Sequence, residues 1–259
     1  ETRGTNFLSV YRRRLLILLA FGAIHGILFW TGDILTTYAL LGFLLILFRK
    51  RSERVLLVGI VLALVYALVI NLPPLEGFRA WYAELTSFAR WNFNSGVYAT
   101  GTFAEITQQR LQGYLGQHLN TIYFFGQVFA MLLLGLYVGK RRILENLGSE
   151  ENQEWLKQIW RAGLFWGFLF SGLYAAASLW SYQNQWPAGV SPEWQRYIAV
   201  FFRTLGAPLL MLFYLTTLIY LYNSPTWRPR LDKLAPVGRM ALSNYLLQST
   251  VATLIFYNY

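Results

Sequence analysis

Tyr197-Ile198-Ala199-Val200-Phe201-Phe202-Arg203-Thr204-Leu205-Gly206-Ala207-Pro208-Leu209-Leu210-Met211-Leu212-Phe213-Tyr214-Leu215-Thr216-Thr217-Leu218-Ile219-Tyr220-Leu221-Tyr222 carries a single charged residue, Arg203. A bilayer core about 30 Å thick takes about 20 apolar residues in a helix rising 1.5 Å per residue. This stretch is long enough to cross. Pro208 is tolerated in a membrane helix, where it is expected to introduce a kink. Arg203 would be costly at the bilayer centre and is expected to snorkel toward the nearer surface.

Six further apolar runs lie around it, near Leu15–Trp30, Ile34–Phe48, Val55–Leu72, Leu119–Val138, Ile159–Trp180 and Met240–Phe256. The fold expected is all-α: a polytopic helical membrane protein, one integral membrane domain over residues 1–259 with about seven transmembrane helices. The first two runs are short, and only Thr31-Gly32-Asp33 separates them. They read as a tight hairpin of two thin spans, or as a re-entrant pair covered by protein. The chain begins at Glu1 and stops inside an apolar segment at Phe256-Tyr257-Asn258-Tyr259, which reads as a fragment cut at both ends.

Composition agrees. Of 259 residues, 56% are apolar and only 13% charged, against about 25% charged in soluble domains. Such a chain is neither disordered nor suited to a water-soluble globule. With no cysteine, disulfides, zinc–thiolate sites, iron–sulfur clusters and a cysteine nucleophile are excluded.

The net charge of +10 needs no nucleic acid to explain it, because the basic residues fall between the apolar runs. Arg12-Arg13-Arg14, Arg49-Lys50-Arg51 with Arg54, Lys140-Arg141-Arg142, and Arg228, Arg230, Lys233 and Arg239 all land on one side if seven spans alternate. With Arg3, Lys157 and Arg161, that side carries 17 of the 22 Lys and Arg residues. The other side keeps Arg79, Arg90, Arg110, Arg196 and Arg203. Positive charge collects on the cytoplasmic side, so the N-terminal side of the chain is expected to be cytoplasmic and Asp33 external. Trp30, Trp81, Trp91, Trp180, Trp186 and Trp194 then mark the external headgroup layer, and Trp155, Trp160, Trp166 and Trp227 the internal one.

Two connections carry structure of their own. Pro73–His118 is a 46-residue external segment, long enough to suggest a function. Within it Thr102-x-x-Glu105 has the spacing of a capping box. An interfacial helix following it would align Phe103, Ile106, Tyr114 and Leu115 on one face. In the second connection, Gly148-Ser149 followed by Glu150, Glu151 and Glu154 reads as a helix start, with acids at the positive dipole end.

Ionisable and amide groups inside spans are where a membrane protein keeps its function. His25, one of two histidines, is flanked by Gly22 and Gly26 at the small-xxx-small spacing of closely packed helices. It reads as a proton acceptor, a general base or an acyl carrier, or as a neutral interhelical hydrogen-bonder. Asp33 lies about 12 Å further along a continuous helix, but the turn folds back, so contact with His25 is open. It also suits the N-cap of the second run. Asn244 and Gln248, four apart in the last run, share a face. Arg110 suits an anionic group or an interfacial anchor, and His118 a second proton-handling role. No phosphate loop, His-Glu-x-x-His or Gly-x-Ser-x-Gly motif is present, and two histidines without cysteine argue against a catalytic zinc.

Two stretches carry a resemblance. The first runs from Gly22 through His25, Gly32-Asp33 and Tyr38-Ala39 to Gly42. The second is Pro236-Val237-Gly238-Arg239-Met240-Ala241-Leu242-Ser243-Asn244-Tyr245-Leu246-Leu247-Gln248-Ser249. Both resemble the bacterial YeiB family, whose main region is domain of unknown function 418. The resemblance implies a polytopic inner-membrane protein, often labelled a transporter and distantly grouped with transmembrane acyltransferases. It also implies further helices before residue 1, bearing a Leu-Arg-Gly-like motif. His25, Asp33, Tyr38, Arg239, Asn244 and Gln248 match the family pattern as residues.

The leading functional expectation is an acyltransferase. A cytoplasmic acyl-CoA would be donor substrate, with no bound cofactor and no metal. An external hydroxyl or amine on a small molecule or an envelope glycan would be acceptor. His25 would be base or transient carrier, oriented by Asp33. Tyr38, Arg110 and His118 would contact substrate, Asn244 and Gln248 would donate to the developing oxyanion, and Arg239 would meet the CoA phosphates. A proton-coupled transporter using His25 and a non-catalytic interaction protein docking through the external segment are the alternatives. Beyond the bilayer, partners and oligomeric state are not legible in the sequence.

Overall fold

A computed structural model describes residues 7–89, 94–147, 149–183, 186–187 and 189–256. Arg3, Arg90, Trp91 and Gly148, singled out above, lie outside the described residues. Among those described there is no strand, and each apolar run is largely helical. In chain order the helices are α1 (Phe7–Leu28), α2 (Leu35–Leu45), α3 (Glu53–Val69), α4 (Glu76–Leu85), α5 (Ser95–Thr100), α6 (Phe103–Leu119), α7 (Phe125–Lys140), α8 (Glu150–Ala162), α9 (Phe168–Gln183), α10 (Pro192–Asn223), α11 (Arg228–Asp232), α12 (Ala235–Arg239) and α13 (Ala241–Phe256). The chain divides into two compact units, each assembled from segments distant in sequence. One is Glu1–Arg51, Trp81–Ile122 and Pro236–Tyr259; the other is Ser52–Ala80 and Tyr123–Ala235.

This is an all-helical membrane protein. Two helical stretches, Glu150–Gln183 and Pro192–Asn223, are each long and apolar enough to cross a bilayer alone, and up to four qualify if bent pairs are joined. The arm from Leu35 to Phe48, an α-helix closed by a 3₁₀ turn, extends only about 22 Å at helical rises. That is short of a hydrocarbon core of about 30 Å.

In the first unit α1 and α2 form a hairpin. The Arg49 guanidinium beyond α2 returns to the start of α1, 4.5 Å from the centre of the Phe7 ring. A Cβ on Gly42 of α2 would meet Leu15 of α1 at 2.6 Å. The hairpin is closed by Thr31-Gly32-Asp33. Helix α6 packs on α1 and is opened by the capping box the sequence predicts: Glu105 N–H donates to Thr102 Oγ1 at 3.4 Å, and Thr102 N–H to Glu105 Oε2 at 2.8 Å. Phe103, Ile106, Tyr114 and Leu115 do not act as one lipid-facing stripe. Ile106 and Tyr114 are buried, whereas Phe103 and Leu115 remain exposed.

In the second unit α3 and α7 run antiparallel. Asn71, just past α3, donates to Tyr123 O at 3.1 Å beside the start of α7, while Glu53 at the other end lies 3.9 Å from Arg141. Helix α8 starts where Ser149, Glu150 and Glu151 predict, with Asn152 N–H donating to Ser149 Oγ at 3.4 Å. A π-helical segment, Gly163–Gly167, joins α8 to α9, and this rod packs antiparallel along α10. Gly163 and Gly167 form a small-xxx-small pair against Leu209, Leu210 and Phe213, and Gly206 of α10 presses on Phe170 and Ser171. Such contacts let backbones approach where lipid supplies no hydrophobic drive. Trp160 Nε1 donates to Thr217 Oγ1 across the same seam at 2.9 Å. Helix α10 passes through Pro208 as one α-helical assignment of 32 residues, so the proline does not interrupt it.

Candidate functional site

The first unit gathers polar side chains around the turn between α1 and α2. His25 is 2% exposed and Asp33 is fully buried. His25 Nδ1 lies 3.0 Å from Asp33 Oδ1. A carboxylate can only accept, so Nδ1 is the donor. The fold back at Gly32 brings Asp33 beside the helix it has just left, which closes the distance a straight helix would impose.

Asp33 also fills the capping role. Its Oδ2 accepts the Thr36 N–H at 3.0 Å, satisfying one of the orphan donors at the start of α2. Its carbonyl accepts Gln117 Nε2 of α6 at 2.9 Å, and Tyr245 of α13 places its hydroxyl 3.4 Å from Oδ1. Burial alone pushes the Asp33 carboxyl up. The His25 bond, the Thr36 and Leu35 N–H groups and the His25 charge outweigh that and hold it below its ordinary value. Asp33 is therefore ionised at neutral pH.

The glycines beside His25 make this packing possible. A Cβ on Gly22 would stand 2.8 Å from Asp33 Oδ2 and 2.6 Å from Thr36 N, and one on Gly26 would enter the Tyr114 ring. Tyr114 itself joins the site through its hydroxyl, 3.0 Å from Thr36 Oγ1. The Tyr245 ring packs against the His25 ring, with centroids 4.9 Å apart. Within these walls His25 Nε2 is buried with no hydrogen-bond partner among the described residues.

The remaining candidates divide. His118 Nδ1 donates to the Tyr114 carbonyl at 2.8 Å, its ring lies tilted against the Tyr114 ring at 4.3 Å, and Nε2 is buried without a hydrogen-bond partner among the described residues. Arg110 is buried, and its Nη1 donates to the Leu28 carbonyl. It thereby places positive charge on the C-terminal end of the α1 dipole. Thr253 Oγ1 donates to the next carbonyl, Phe29 O, at 3.2 Å. Tyr38 is largely exposed on α2.

Asn244 and Gln248 do not join the His25–Asp33 pair. Asn244 Nδ2 donates to Val237 O at 3.2 Å, and Gln248 and Arg239 are exposed. Each residue turns a helix by about 100°, so the α13 face toward His25 carries Tyr245 and, eight residues on, Thr253. Tyr245, Tyr114, Thr36 and Gln117 were missed as site residues. The available signals were adjacency of Tyr245 to Asn244, the three-residue step from Asp33 to Thr36, and the helical spacing of Tyr114 and Gln117 after the capping box.

Comparison with known proteins adds the following. The family profile described as "Protein of unknown function (DUF418)" matches residues 138–259. The uncharacterized protein YxaH of Bacillus subtilis (strain 168) is 37% identical over 274 aligned residues, covering 100% of this chain and 62% of the relative. The uncharacterized protein YeiB of Escherichia coli (strain K12) is 29% identical over 256 residues, covering 95% of this chain and 62% of the relative. An uncharacterized 39.9 kDa protein encoded in the amylase 3' region of Bacillus acidopullulyticus is 27% identical over 262 residues, 98% of this chain and 59% of its own length. The chain thus spans about three-fifths of the length of these relatives. No solved structure matches it.

Proposed function

We propose that this chain, which belongs to the YeiB/DUF418 family, forms the base-bearing part of a bacterial inner-membrane acyltransferase. The observation that carries the reading is the asymmetry of His25: Nδ1 is fixed on a buried, ionised Asp33, while Nε2 is held without a hydrogen-bond partner among the described residues. A base oriented on one nitrogen and open on the other suits general acid–base chemistry.

The reaction proposed moves an acyl group from acyl-CoA to a hydroxyl or amine. Nε2 takes the proton from the acceptor as the acceptor atom bonds to the thioester carbonyl carbon. The carbon–sulfur bond breaks, and the imidazolium returns the proton to the departing thiolate. Asp33 stabilises the imidazolium in between. The Tyr245 ring, packed against the imidazole, fixes it laterally. The donor as acyl-CoA on the cytoplasmic side, and an envelope component as acceptor, are parts of this proposal.

A second reading keeps the same residues. His25 and Asp33 are almost wholly enclosed, which favours a site that passes a proton over one that admits a bulky donor. In that case the protein is a proton-coupled transporter and His25 carries the coupling ion.

The deciding experiment supplies membranes containing the complete protein, wild type or His25→Gln, with radiolabelled acetyl-CoA and cell-envelope material. Protein-dependent label in the envelope that is lost with His25→Gln supports acyl transfer. Solute uptake that follows a pH gradient and is lost in the same variant, without label transfer, supports transport.

A further inference from the structure

In the second unit, α9 ends at Gln183 and α10 begins at Pro192. Between these ends lies a cavity of ≈ 510 Å³ lined by Tyr174, Ser178 and Ser181 of α9 and by Gln195, Arg196 and Arg203 of α10. The spacing explains the lining. Residues 174, 178 and 181 share one helix face, as do 196 and 203, two turns apart. The cavity is therefore a cleft between two facing stripes, with hydroxyls on one wall and guanidinium groups on the other.

The charges do not cancel. Glu76 lies 2.8 Å from Arg196 and is also bound by Arg79, so one carboxylate serves two guanidinium groups. Glu193, one turn before Arg196, adds a second acid within the field of that arginine. Arg203 has no ion pair or hydrogen bond among the described residues. It is the one charged residue in the apolar run Tyr197–Tyr222. An unpaired arginine within a membrane helix is expensive, and here it lines a cleft with hydroxyl donors and, among the described residues, has no carboxylate paired to it. A phosphate fits both: guanidinium groups bind it through parallel N–H donors, and serine and tyrosine hydroxyls supply the rest.

Position selects the source. Trp180, Trp186 and Trp194 surround this end of the helix pair in sequence. Trp186 Nε1 donates to Ser181 Oγ at 2.9 Å, and the Trp180 and Trp186 rings lie 5.7 Å apart, edge to face. Tryptophan clusters of this kind sit at the depth of lipid headgroups.

We propose that the α9–α10 cleft binds the phosphate of an anionic phospholipid headgroup, with Arg203 as its main counter-charge. The proposal is independent of the chemistry assigned to His25 and Asp33.

The test uses the complete protein in detergent, with retention of phosphatidylglycerol and phosphatidylcholine compared by native mass spectrometry. Glycerol phosphate serves as the soluble competitor. The expected result is about fivefold preference for phosphatidylglycerol, the effect of roughly one cation at an anionic lipid. That preference should vanish in Arg203→Gln and persist in Arg142→Gln. An undiminished preference in Arg203→Gln, or equal loss in both variants, overturns the proposal. Loss of the preference to equimolar glycerol phosphate overturns the lipid as source and makes the site one for soluble phosphates. If Arg203→Gln does not fold, Ser178→Ala with Tyr174→Phe decides: a reduced preference supports the cleft, and an unchanged one overturns it.

Discussion

His25 and Asp33 stand 3.0 Å apart, ring nitrogen to carboxylate, although eight residues separate them in a chain that is helical on both sides. One carboxylate holds the imidazole with one oxygen and starts α2 with the other. Orientation of the candidate base and the start of the following helix are thus two uses of a single side chain.

Asp33→Asn separates those uses. Asparagine caps a helix about as well as aspartate but carries no charge. Because the folded carboxyl titrates below its ordinary value, Asp33 contributes stability above the unfolded-state pKa of about 3.9 and loses it as pH falls through the folded value. Wild type should melt above Asp33→Asn at pH 7, and the gap should close as pH drops below about 4. Thermal melts of the purified protein across that range provide the measurement. A gap of constant size at every pH would mean that the charge does not matter.

Tyr245 offers a graded test. Tyr245→Phe removes a hydroxyl 3.4 Å from Asp33 but keeps the ring against His25, so a loss of about 1 kcal/mol or less is expected. Tyr245→Ala removes the wall and should lower stability by about 3 kcal/mol. If the two variants melted alike, the ring contact would have no weight.

Glycines along the α8–α9–α10 seam should differ from those that face open space. A Cβ on Gly206 would stand 2.8 Å from Ser171 N, and backbone cannot yield cheaply. Gly206→Ala should lower stability by about 1–3 kcal/mol. Gly172→Ala, with nothing within 4 Å of the added carbon, should be neutral or stabilising by up to about 1 kcal/mol. Equal melting shifts would rule out close packing at Gly206.

Arg110→Ala should expose the end of α1. Removing the guanidinium leaves the Leu28 carbonyl without that donor, at a cost of about 1–3 kcal/mol. Arg110→Lys should recover part of the loss. If Arg110 instead served an anionic substrate, activity would fall in Arg110→Ala with no change in melting temperature.

How much of this was written in the sequence varies by scale. Helices were legible because composition and run length constrain a membrane chain strongly. The Thr102–Glu105 box and the Ser149 start were legible because caps are local. The His25–Asp33 pair was half legible: residue types and the glycine neighbours suggested it, but contact depends on how sharply the chain turns at Gly32. Tyr245 was hidden because choosing between adjacent residues on α13 requires the rotation of that helix, which only packing sets. The contact of Arg110 with the end of α1 was hidden for a similar reason: burial against a helix end is a tertiary fact. Division into two units was not legible, since contacts among distant segments define it.

The π-helical segment Gly163–Gly167 has a consequence for everything that follows it. A wider turn holds one more residue than an α-helical turn would, so it resets the phase of α9 relative to α8. Trp160 meets Thr217 on one side of the reset, and Tyr174, Ser178 and Ser181 line the cleft on the other. Rewinding the same five residues as an ordinary α-helix, with none removed, would swing the later hydroxyls about 100° away from α10. Apolar residues would replace them with hardly any change in composition or hydropathy. The cleft is therefore encoded in the winding of a segment outside it, and a variant that loses it need not have changed any of the residues that form it.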